Sequence, residues 1–498
     1  MHQRDGFICA LLVVMVLGGC EMGVSQTEAP PVTPDLVFLD ARVMDPESGL
    51  DAVRHVGISG GTIVAISETP IEAPEVVDAS GLVLAPGFID LHAHGQDAVS
   101  NRLQALDGVT TALELELGVY PVADWIAGRE GDAVIHYGAS VGHLGARVKL
   151  FHDADLGSWA TLSPDRSDLL AFSDFEDMDT TEEERTRLKE LMVRGLDEGG
   201  LGFGLGITYT PGASRSEIYD LFELASDEEI PLFIHTRGAN SGGTLGAFQE
   251  GIANAAATGA SLHFVHLNSS SGELAPTVLS LIRGARDRGL DITTEAYPYT
   301  AGSTRIESAS YDSWVGRDDA DFSSLLWPAT GERLTAESFA RYRAEGGWVI
   351  SGSRREETNA WIIAQPDVMV ASDGIPFLYG PAHPRGAGTF SRILGYYSRE
   401  QQTIGLMDAL KKMTLLPAQR LEQFAPAMRN KGRIRLGADA DITLFDPDTV
   451  LDRSTYEQGD IPSAGIVHVL VSGTFVVRDG ELVEGVFPGR AIKSERLN

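Results

Sequence analysis

The fold of this chain is decided by the stretch Ala85-Pro-Gly-Phe-Ile-Asp-Leu-His-Ala-His-Gly-Gln-Asp97. Within it, the apolar run Phe88 to His92 predicts a short buried strand that ends in two histidines. Side chains two apart in a strand point to the same side, so His92 and His94 can present two imidazoles to one point. Imidazole is the commonest metal-ligating side chain. Enzymes built on barrels carry their chemistry where strands open into loops. Taken alone, the stretch is compatible with a metal site and equally with a pair of hydrogen-bonded loop histidines.

The middle of the chain alternates strand and helix patterns, which predicts parallel βα units. The eight predicted strands are Ile89–His92, Thr110–Leu117, Ala133–Val141, Gly202–Thr208, Leu232–His235, Leu262–Leu267, Ile292–Tyr297 and Val368–Ser372. Eight such units predict an α/β fold, a TIM-type (β/α)8 barrel over residues 86–431. A longer stretch, about residues 303–365, separates the seventh strand from the eighth and predicts an inserted lid.

Both ends of the chain show short β patterns instead of helices. Gly60-Gly61 lies between two apolar runs and predicts a hairpin. The stretch from Ile466 to Val471 turns at Ser472-Gly473 into a further apolar run. We therefore expect residues 35–85 and 432–498 to build one small β-sandwich from both chain ends.

Residues 1–34 have the composition of an export segment. An apolar run from Phe7 to Leu17 precedes Leu17-Gly-Gly-Cys20, and a polar, proline-rich tract follows. Such a pattern is typical of a secretory signal. The four residues ending at Cys20 also resemble the lipobox of bacterial lipoproteins. We expect export to the cell envelope with a lipid anchor on Cys20; an ordinary signal peptide cut nearby is the alternative.

Charge and cysteine content limit the possible partners and ligands. The 498-residue chain has 39 basic and 71 acidic residues, a net charge of −32, which argues against nucleic acid as a partner. Its two cysteines, Cys9 and Cys20, both lie in the export segment. Any metal must therefore be held by His, Asp and Glu. A small-molecule substrate is the expected partner, and oligomeric state is left open.

Polar side chains gather at the predicted carboxyl ends of the barrel strands. They are His92, His94, Glu114, Glu116, His143, His235, His266, Tyr297, Tyr299 and Asp373. Any one of them alone is explained by a hydrogen bond or a helix cap. As a group at one rim they would cost several kcal/mol unless paired or metal-bound. Four histidines, an aspartate and one or two glutamates suit a divalent metal.

Several motifs resemble those of the amidohydrolase superfamily, and within it the N-acyl-D-amino-acid deacylases, the D-aminoacylase group. The matching stretches are Pro86-Gly-Phe-Ile-Asp-Leu-His-Ala-His94, Asp107-Gly-Val-Thr-Thr111, Ala296-Tyr-Pro-Tyr-Thr-Ala-Gly-Ser-Thr304, Ala371-Ser-Asp-Gly374 and Gly432-Arg-Ile-Arg-Leu-Gly-Ala-Asp-Ala-Asp-Ile442. The resemblance runs from about residue 36 to residue 493. It implies a metal-dependent hydrolase of linear amide bonds, which releases a free amino acid and a carboxylate from an N-acyl-(D-)amino acid.

The resemblance also implies roles for individual residues. It makes metal ligands of His92, His94, His235 and His266. Asp373 would bind metal and act as the general acid and base on the attacking water. His143 and Tyr297 would polarise or position the scissile carbonyl. The expected cofactor is a divalent metal, foremost zinc, as one or two ions.

Two departures from these deacylases matter. The relatives carry a cysteine ligand after the second strand, where this chain has Glu114-Leu-Glu-Leu-Gly118. A carboxylate is then the expected third ligand. After the sixth strand the relatives commonly supply a lysine for the substrate carboxylate, where this chain has Asn268. Arg385, Arg305 or Arg237 could replace the lysine, because guanidinium binds carboxylate in a bidentate way. Tyr209, after the fourth strand, is a further candidate for substrate binding.

The two glutamates on the second strand should differ in role. They are two residues apart and share the barrel side of the strand. Glu116 lies nearer the rim, so we expect it to ligate metal, with bridging of two ions as an option. Glu114 lies about 7 Å deeper by strand rise, so we expect it to orient a ligand histidine. The alternative is that both glutamates pair with arginines.

Two other functions compete with deacylation. Fold and metal site do not fix the substrate, so another amidohydrolase reaction, such as that of a dipeptidase or a cyclic-amide hydrolase, is the first alternative. A lipoprotein that binds ligand without turnover is the second. That alternative predicts losses among the ligands, and apart from the cysteine none is missing.

Overall fold

The structure is a computed structural model of the chain, and it describes residues 33–161, 173–238, 243–352 and 354–495. The expected signal and its Cys20 lie outside these residues. Within the described ranges, no helix is both long enough and apolar enough to cross a bilayer.

Strands from both chain ends form one sheet, which fits the small β-sandwich predicted from the sequence. The strands are β1 Leu36–Asp45, β2 Leu50–Ser59, β3 Thr62–Ser67, β4 Glu75–Asp78, β5 Val83–Pro86, β18 Ile442–Phe445, β19 Ile466–Val471, β20 Thr474–Arg478 and β21 Glu481–Leu482. Their order is β21-β20-β19-β18-β5-β1-β2-β3, and β4 pairs with β1. The two ends meet where β5 runs antiparallel to β18.

The hairpin predicted at Gly60-Gly61 joins β2 to β3. Both glycines have positive φ, +56° and +82°. A two-residue hairpin turn whose central residues both have positive φ matches the twist of the flanking strands, and glycine adopts it without strain.

The barrel consists of eight parallel strands in sequential order, as predicted. They are β6 Phe88–Asp90, β7 Val109–Val119, β8 His136–Gly142, β9 Phe203–Gly206, β10 Pro231–His235, β11 Ser261–Phe264, β12 Ile292–Ala296 and β17 Met369–Val370. The first and last strands meet through a parallel bridge between Ala93 and Gly374. The carboxylate of Asp90 supports this closure by accepting a hydrogen bond from the backbone N–H of Ser372 at 3.0 Å.

Several strands end earlier than predicted, and the residues that lie beyond these ends are at the carboxyl end of the barrel. His92, His266 and Asp373 lie just beyond their strands. His266 and Asp373 have φ of 33° and 52°, in the left-handed region, so the chain leaves the ladder there. For residues other than glycine this backbone conformation is strained and clusters at functional sites.

Helices surround the barrel. In chain order they are α1 Ala98–Leu106, α2 Val122–Ala127, α3 His143–His152, α4 Glu182–Asp197, α5 Arg215–Asp227, α6 Gly243–Thr258, α7 Leu267–Ser271 and α8 Ala275–Arg286. After the seventh strand come α9 Asp319–Phe322, α10 Ala336–Glu345, α11 Glu356–Ile363, α12 Arg385–Arg392, α13 Leu406–Met413 and α14 Leu415–Leu421. The longer helices bury an apolar stripe; in α5 it includes Ile218, Leu221 and Phe222.

The segment between β12 and β17 forms its own small layer, as the predicted lid requires. Four antiparallel strands, β13 Gly302–Arg305, β14 Leu325–Trp327, β15 Glu332–Arg333 and β16 Trp348–Ser351, pair in the order β13-β16-β14-β15. Ile306, Phe322, Phe339 and Val349 help form its apolar core. The Trp348 ring stacks at 6.3 Å from the His94 ring, so this layer covers the carboxyl end of the barrel.

Candidate active site

Six side chains converge at the carboxyl end of the barrel in two groups of three. One group is His92, His94 and Asp373; the other is Glu116, His235 and His266. Within each group, one candidate ligand atom per residue lies within 4.8 Å of the others. All six were predicted as ligands from the sequence, and the structure brings them together.

Glu116 lies between the two groups. Its Oε2 is 3.1 Å from His92 Nε2 and 3.0 Å from His94 Nε2. Its Oε1 is 2.6 Å from His235 Nδ1 and 3.0 Å from His266 Nε2. One carboxylate thus faces two pairs of imidazoles, one pair with each oxygen. With these four imidazoles, the carboxylate would be available to hold one or two divalent ions.

A distortion of β7 accompanies this placement. The pairing of β7 with β8 shifts register between Glu114 and Val119, so the strand bulges where Glu116 lies. A bulge re-aims side chains and often lies beside an active site. Gly118 follows with φ of +63°, and a Cβ there would lie 2.6 Å from the backbone N of Gly142, so only glycine fits.

Carboxylates behind the histidines fix the orientation of the rings. His94 Nδ1 is 2.8 Å from Glu114 Oε2, and His92 Nδ1 is 2.6 Å from Glu295 Oε1. The Glu114 contact has the geometry expected for an orienting residue. The orienting role of Glu295 was not predicted from the sequence. A signal for it was present, because Glu295 is the one charged residue of the seventh strand, and a glutamate within a barrel strand is also what drew attention to Glu114.

These contacts provide a test of whether the site suits a cation. Because Nδ1–H of His92 and of His94 each donates to a carboxylate, the Nε2 atoms are left as acceptors. Those two acceptor atoms face each other at 3.1 Å. Two lone pairs at that distance repel unless a cation lies between them, so the donor set fits a divalent metal such as zinc.

Asp373 is held by Arg385. Arg385 Nη2 donates to Asp373 Oδ1 at 2.8 Å, and both side chains are buried. Burial opposes ionisation of Asp373, but the positive charge of Arg385 acts against it, and the pKa of the carboxyl lies below its ordinary value. Asp373 is therefore an anion at neutral pH, the state needed to accept a proton.

A cavity of about 180 Å³ opens beside this cluster. Besides cluster residues, it is lined by Leu117, Tyr209, Ser269, Gly302, Ser303, Thr304, Ser310, Trp348, Ser351, Arg354 and Arg385. Tyr209, predicted to bind substrate, is therefore at the cavity, where its hydroxyl lies 3.1 Å from Thr304 Oγ1. Arg354, from the inserted layer, was not predicted.

Tyr297 lies between two arginines of the cavity wall. Its hydroxyl accepts a hydrogen bond from Arg354 Nη2 at 2.7 Å. Its ring centroid is 5.3 Å from Arg354 Cζ and 4.8 Å from Arg385 Cζ. The predicted contact of Tyr297 with the scissile carbonyl stays a prediction.

His143 lies at the start of a helix, beside a buried carboxylate. It begins α3, and its buried Nε2 contacts Glu217 Oε1 at 2.7 Å. Glu217 also pairs with Arg147 at 2.7 Å. Burial lowers the pKa of His143, which keeps the ring neutral at pH 7. His143 is not among the residues that line the cavity, and its Nδ1 is buried without a hydrogen-bond partner among the described residues. Its predicted contact with the scissile carbonyl stays a prediction.

The other predicted arginines and Asn268 also lie apart from the cavity wall. Arg305 pairs with Glu307 at 2.6 Å and Arg237 with Glu250 at 3.1 Å. Arg305 instead lines a separate, largely apolar cavity behind Trp348. Asn268 is buried and donates from Nδ2 to the backbone carbonyl of Tyr297 at 2.9 Å, so it holds the seventh strand end in place.

Comparison with known proteins agrees with this architecture. A family model described as the amidohydrolase family matches residues 75–140. The N-acyl-D-glutamate deacylase of Alcaligenes xylosoxydans xylosoxydans is 30% identical over 89% of this chain and 93% of its own length. The chain belongs to the amidohydrolase superfamily, in its D-aminoacylase group.

A second relative by sequence and a solved structure of the same fold accompany this match. The D-aminoacylase of the same organism is 27% identical, over 94% of this chain and 99% of its own. The N-acyl-D-glutamate deacylase of Bordetella bronchiseptica, solved with zinc and a phosphonate mimic of the tetrahedral intermediate, shares the fold. Its TM-score is 0.77, with 24% identity over 93% of this chain and 100% of that one. This amidohydrolase is therefore a hydrolase of carbon–nitrogen bonds other than peptide bonds, and it uses a divalent metal.

Proposed function

We propose that this amidohydrolase hydrolyses the amide bond of N-acyl-D-amino acids, which releases the free amino acid and a carboxylate. The observation that carries the proposal is Glu116, whose two oxygens face two pairs of histidines, with Asp373 3.4 Å from His92. The relatives that match this chain over nearly their whole length are named for deacylation of D-amino acids, which supports that substrate class.

The residues of the site supply the proton transfers. Asp373 Oδ1 or Oδ2 accepts a proton from the attacking water and delivers it to the leaving nitrogen. Arg385 fixes the orientation of the carboxylate during both transfers. Trp348, over His94, limits the access of bulk water. When bound, a divalent ion supplies Lewis acidity to the carbonyl and lowers the pKa of water.

Zinc is the metal we propose, as one or two ions. Imidazole and carboxylate donors without thiolate suit it. The Bordetella bronchiseptica deacylase, which shares this fold, was solved with zinc. The two ligand groups on either side of Glu116 provide room for a pair of ions.

We further propose that the protein is exported and anchored through Cys20. The support is the apolar run before Leu17-Gly-Gly-Cys20 and the polar tract after it. One acyl-rich anchor would hold a soluble enzyme at the envelope without contacts from the fold.

A substrate panel tests the deacylase proposal. The zinc-loaded protein is assayed with N-acetyl-D-amino acids, their L enantiomers, dipeptides and cyclic amides such as hydantoins. We expect kcat/KM to be highest for the D series. Preferred turnover of a dipeptide or a hydantoin would replace the proposal with one of the alternative amidohydrolase reactions.

A further inference from the structure

Two arginines line the cavity, and they differ in their partners. Arg385 Nη2 pairs with Asp373 at 2.8 Å. Arg354 Nη2 donates to two neutral oxygens, the Tyr297 hydroxyl at 2.7 Å and the Tyr299 carbonyl at 3.4 Å. Its Nε is buried without a hydrogen-bond partner in the described part of the chain. No carboxylate of the described residues pairs with Arg354.

The other arginines considered for substrate binding are already matched. Arg237 pairs with Glu250 and Arg305 with Glu307. Arg354 is thus the cavity-lining cation for which the described ranges provide no anion. A guanidinium that is largely out of water gains most from a carboxylate, which can accept two parallel hydrogen bonds.

Arg354 is also well placed relative to the reacting groups. Tyr297 lies between Arg354 and Arg385, and Arg385 in turn holds Asp373. Gly302 leaves the approach to Arg354 open, because a Cβ there would lie 3.7 Å from Arg354 Nη1. Arg354 and Asp373 line the same cavity, so a substrate whose amide lies at Asp373 has its carboxylate in the cavity that Arg354 also lines. Ser269, Ser310 and Ser351 add hydroxyl donors to the same wall.

We propose that Arg354 binds the α-carboxylate of the substrate, and that the cavity prefers N-acyl amino acids with a single carboxylate over N-acyl aspartate and N-acyl glutamate. The preference follows because one unmatched cation neutralises one anion, and a second buried carboxylate would have no partner. This inference rests on the proposed deacylation and names its substrate class more narrowly.

The test compares substrates with and without the carboxylate in three variants. N-acetyl-D-leucine is paired with N-acetyl-isoamylamine, which has the same amide and side chain but no carboxylate. Arg354→Gln removes the charge, Arg354→Lys keeps it, and Arg355→Gln is the matched control, since Arg355 is the next residue and is exposed. Metal content is measured in every preparation.

We expect Arg354→Gln to lower kcat/KM for N-acetyl-D-leucine on the order of 10²-fold, since a hydrogen bond to a charged group is lost. Turnover of the uncharged amide should fall much less than that of N-acetyl-D-leucine, Arg354→Lys should recover part of the loss, and Arg355→Gln should resemble the wild type. In the wild type, N-acetyl-D-aspartate and N-acetyl-D-glutamate should be poorer substrates than N-acetyl-D-leucine.

Distinct outcomes overturn the two proposals. If the wild type hydrolyses N-acetyl-D-leucine and Arg354→Gln does so equally well, the role of Arg354 is wrong and deacylation stands. An equal loss on both amides would reduce Arg354 to a structural partner of Tyr297. Preferred turnover of N-acetyl-D-glutamate would refute the single-carboxylate preference. If the wild type hydrolyses no N-acyl amino acid, the proposed function itself fails.

Discussion

Glu116 and Glu114 are two residues apart on β7, yet their carboxylates contact opposite sides of the same histidine. Glu116 Oε2 lies 3.0 Å from Nε2 of His94, while Glu114 Oε2 lies 2.8 Å from its Nδ1. The ring is thus held on one side by a carboxylate and presented on the other to the centre of the site.

Metal analysis should separate the two glutamates. We expect Glu116→Gln to lose at least one equivalent of metal, because both groups of ligands depend on its oxygens. Glu114→Gln should retain metal with an affinity lowered by about 10–100-fold, since only the orientation of His94 is weakened. Full and equal occupancy in both variants, measured by elemental analysis after dialysis, would show that neither carboxylate binds the ion.

Removal of metal should abolish turnover. Chelation followed by dialysis should give inactive protein, and zinc, manganese or cobalt should restore activity. Calcium serves as the control, because it prefers sets of oxygen ligands over imidazole and should restore little. Full activity of a protein shown to be metal-free by elemental analysis would contradict this prediction.

Replacement of Asp373 should slow the chemistry more than it disturbs the metal. Asp373→Asn preserves the size of the side chain but removes the proton acceptor, so kcat should fall by about 10²–10⁴-fold. Metal content, determined on the same preparation, should change less. A near-normal kcat would mean that another group activates the water, and Glu116 would be examined next.

Glu217 should make the stability of the barrel sensitive to acid. Burial opposes its ionisation, but the hydrogen bond from His143 and the charge of Arg147 outweigh it and lower its pKa from 4.5 to about 2. A carboxyl with a lowered folded-state pKa stabilises the fold above its ordinary pKa, and this contribution is lost as pH falls from about 4.5 toward 2.

Denaturation of metal-free protein tests this prediction. At pH 7, Glu217→Gln should reduce the free energy of unfolding by about 3–5 kcal/mol, because it leaves Arg147 buried without its anion. The difference in the free energy of unfolding between Glu217→Gln and the wild type should be smaller at pH 3 than at pH 7. Glu223→Gln, at an exposed position of the same helix α5, is the control and should behave as the wild type at both values. A gap that is equal at pH 7 and pH 3 would refute the assignment.

Fractionation of cells should decide how the enzyme is retained. If Cys20 carries the anchor, the wild type should be found with membranes, and Cys20→Ser should move it to the soluble exported fraction without loss of specific activity. Soluble export of the unaltered protein would leave an ordinary signal peptide as the explanation.

Much of the fold could be predicted because its signals are local. Alternating βα patterns gave eight strands in order, and the strand-end histidines fell at one rim. The exact strand ends could not be predicted, because the left-handed backbone of His266 and Asp373 depends on contacts formed only in the closed barrel. Their side chains are aimed by that turn and not by the period of the strand.

The site residues that could be predicted are those that follow the regular spacing of a strand. Glu114, Glu116 and the four histidines lie on or beside strands, where a two-residue period indicates direction. Arg354 follows β16 of the inserted layer, and no periodic pattern relates that layer to the barrel axis. The role of His143 stays a prediction: its position after a strand was right, and its Nε2 contacts Glu217.

The pairing of β5 with β18 has a consequence for how the protein is made. Ile442 lies opposite Pro86, so β5 can pair with β18 only after all the strands of the barrel between them have been synthesised. Closing so long a loop is slow, and folds dominated by such distant pairings form late. The chain emerging from the ribosome therefore lacks the partner needed to complete this sheet until Ile442–Phe445 have been synthesised, and the whole barrel is made before that point.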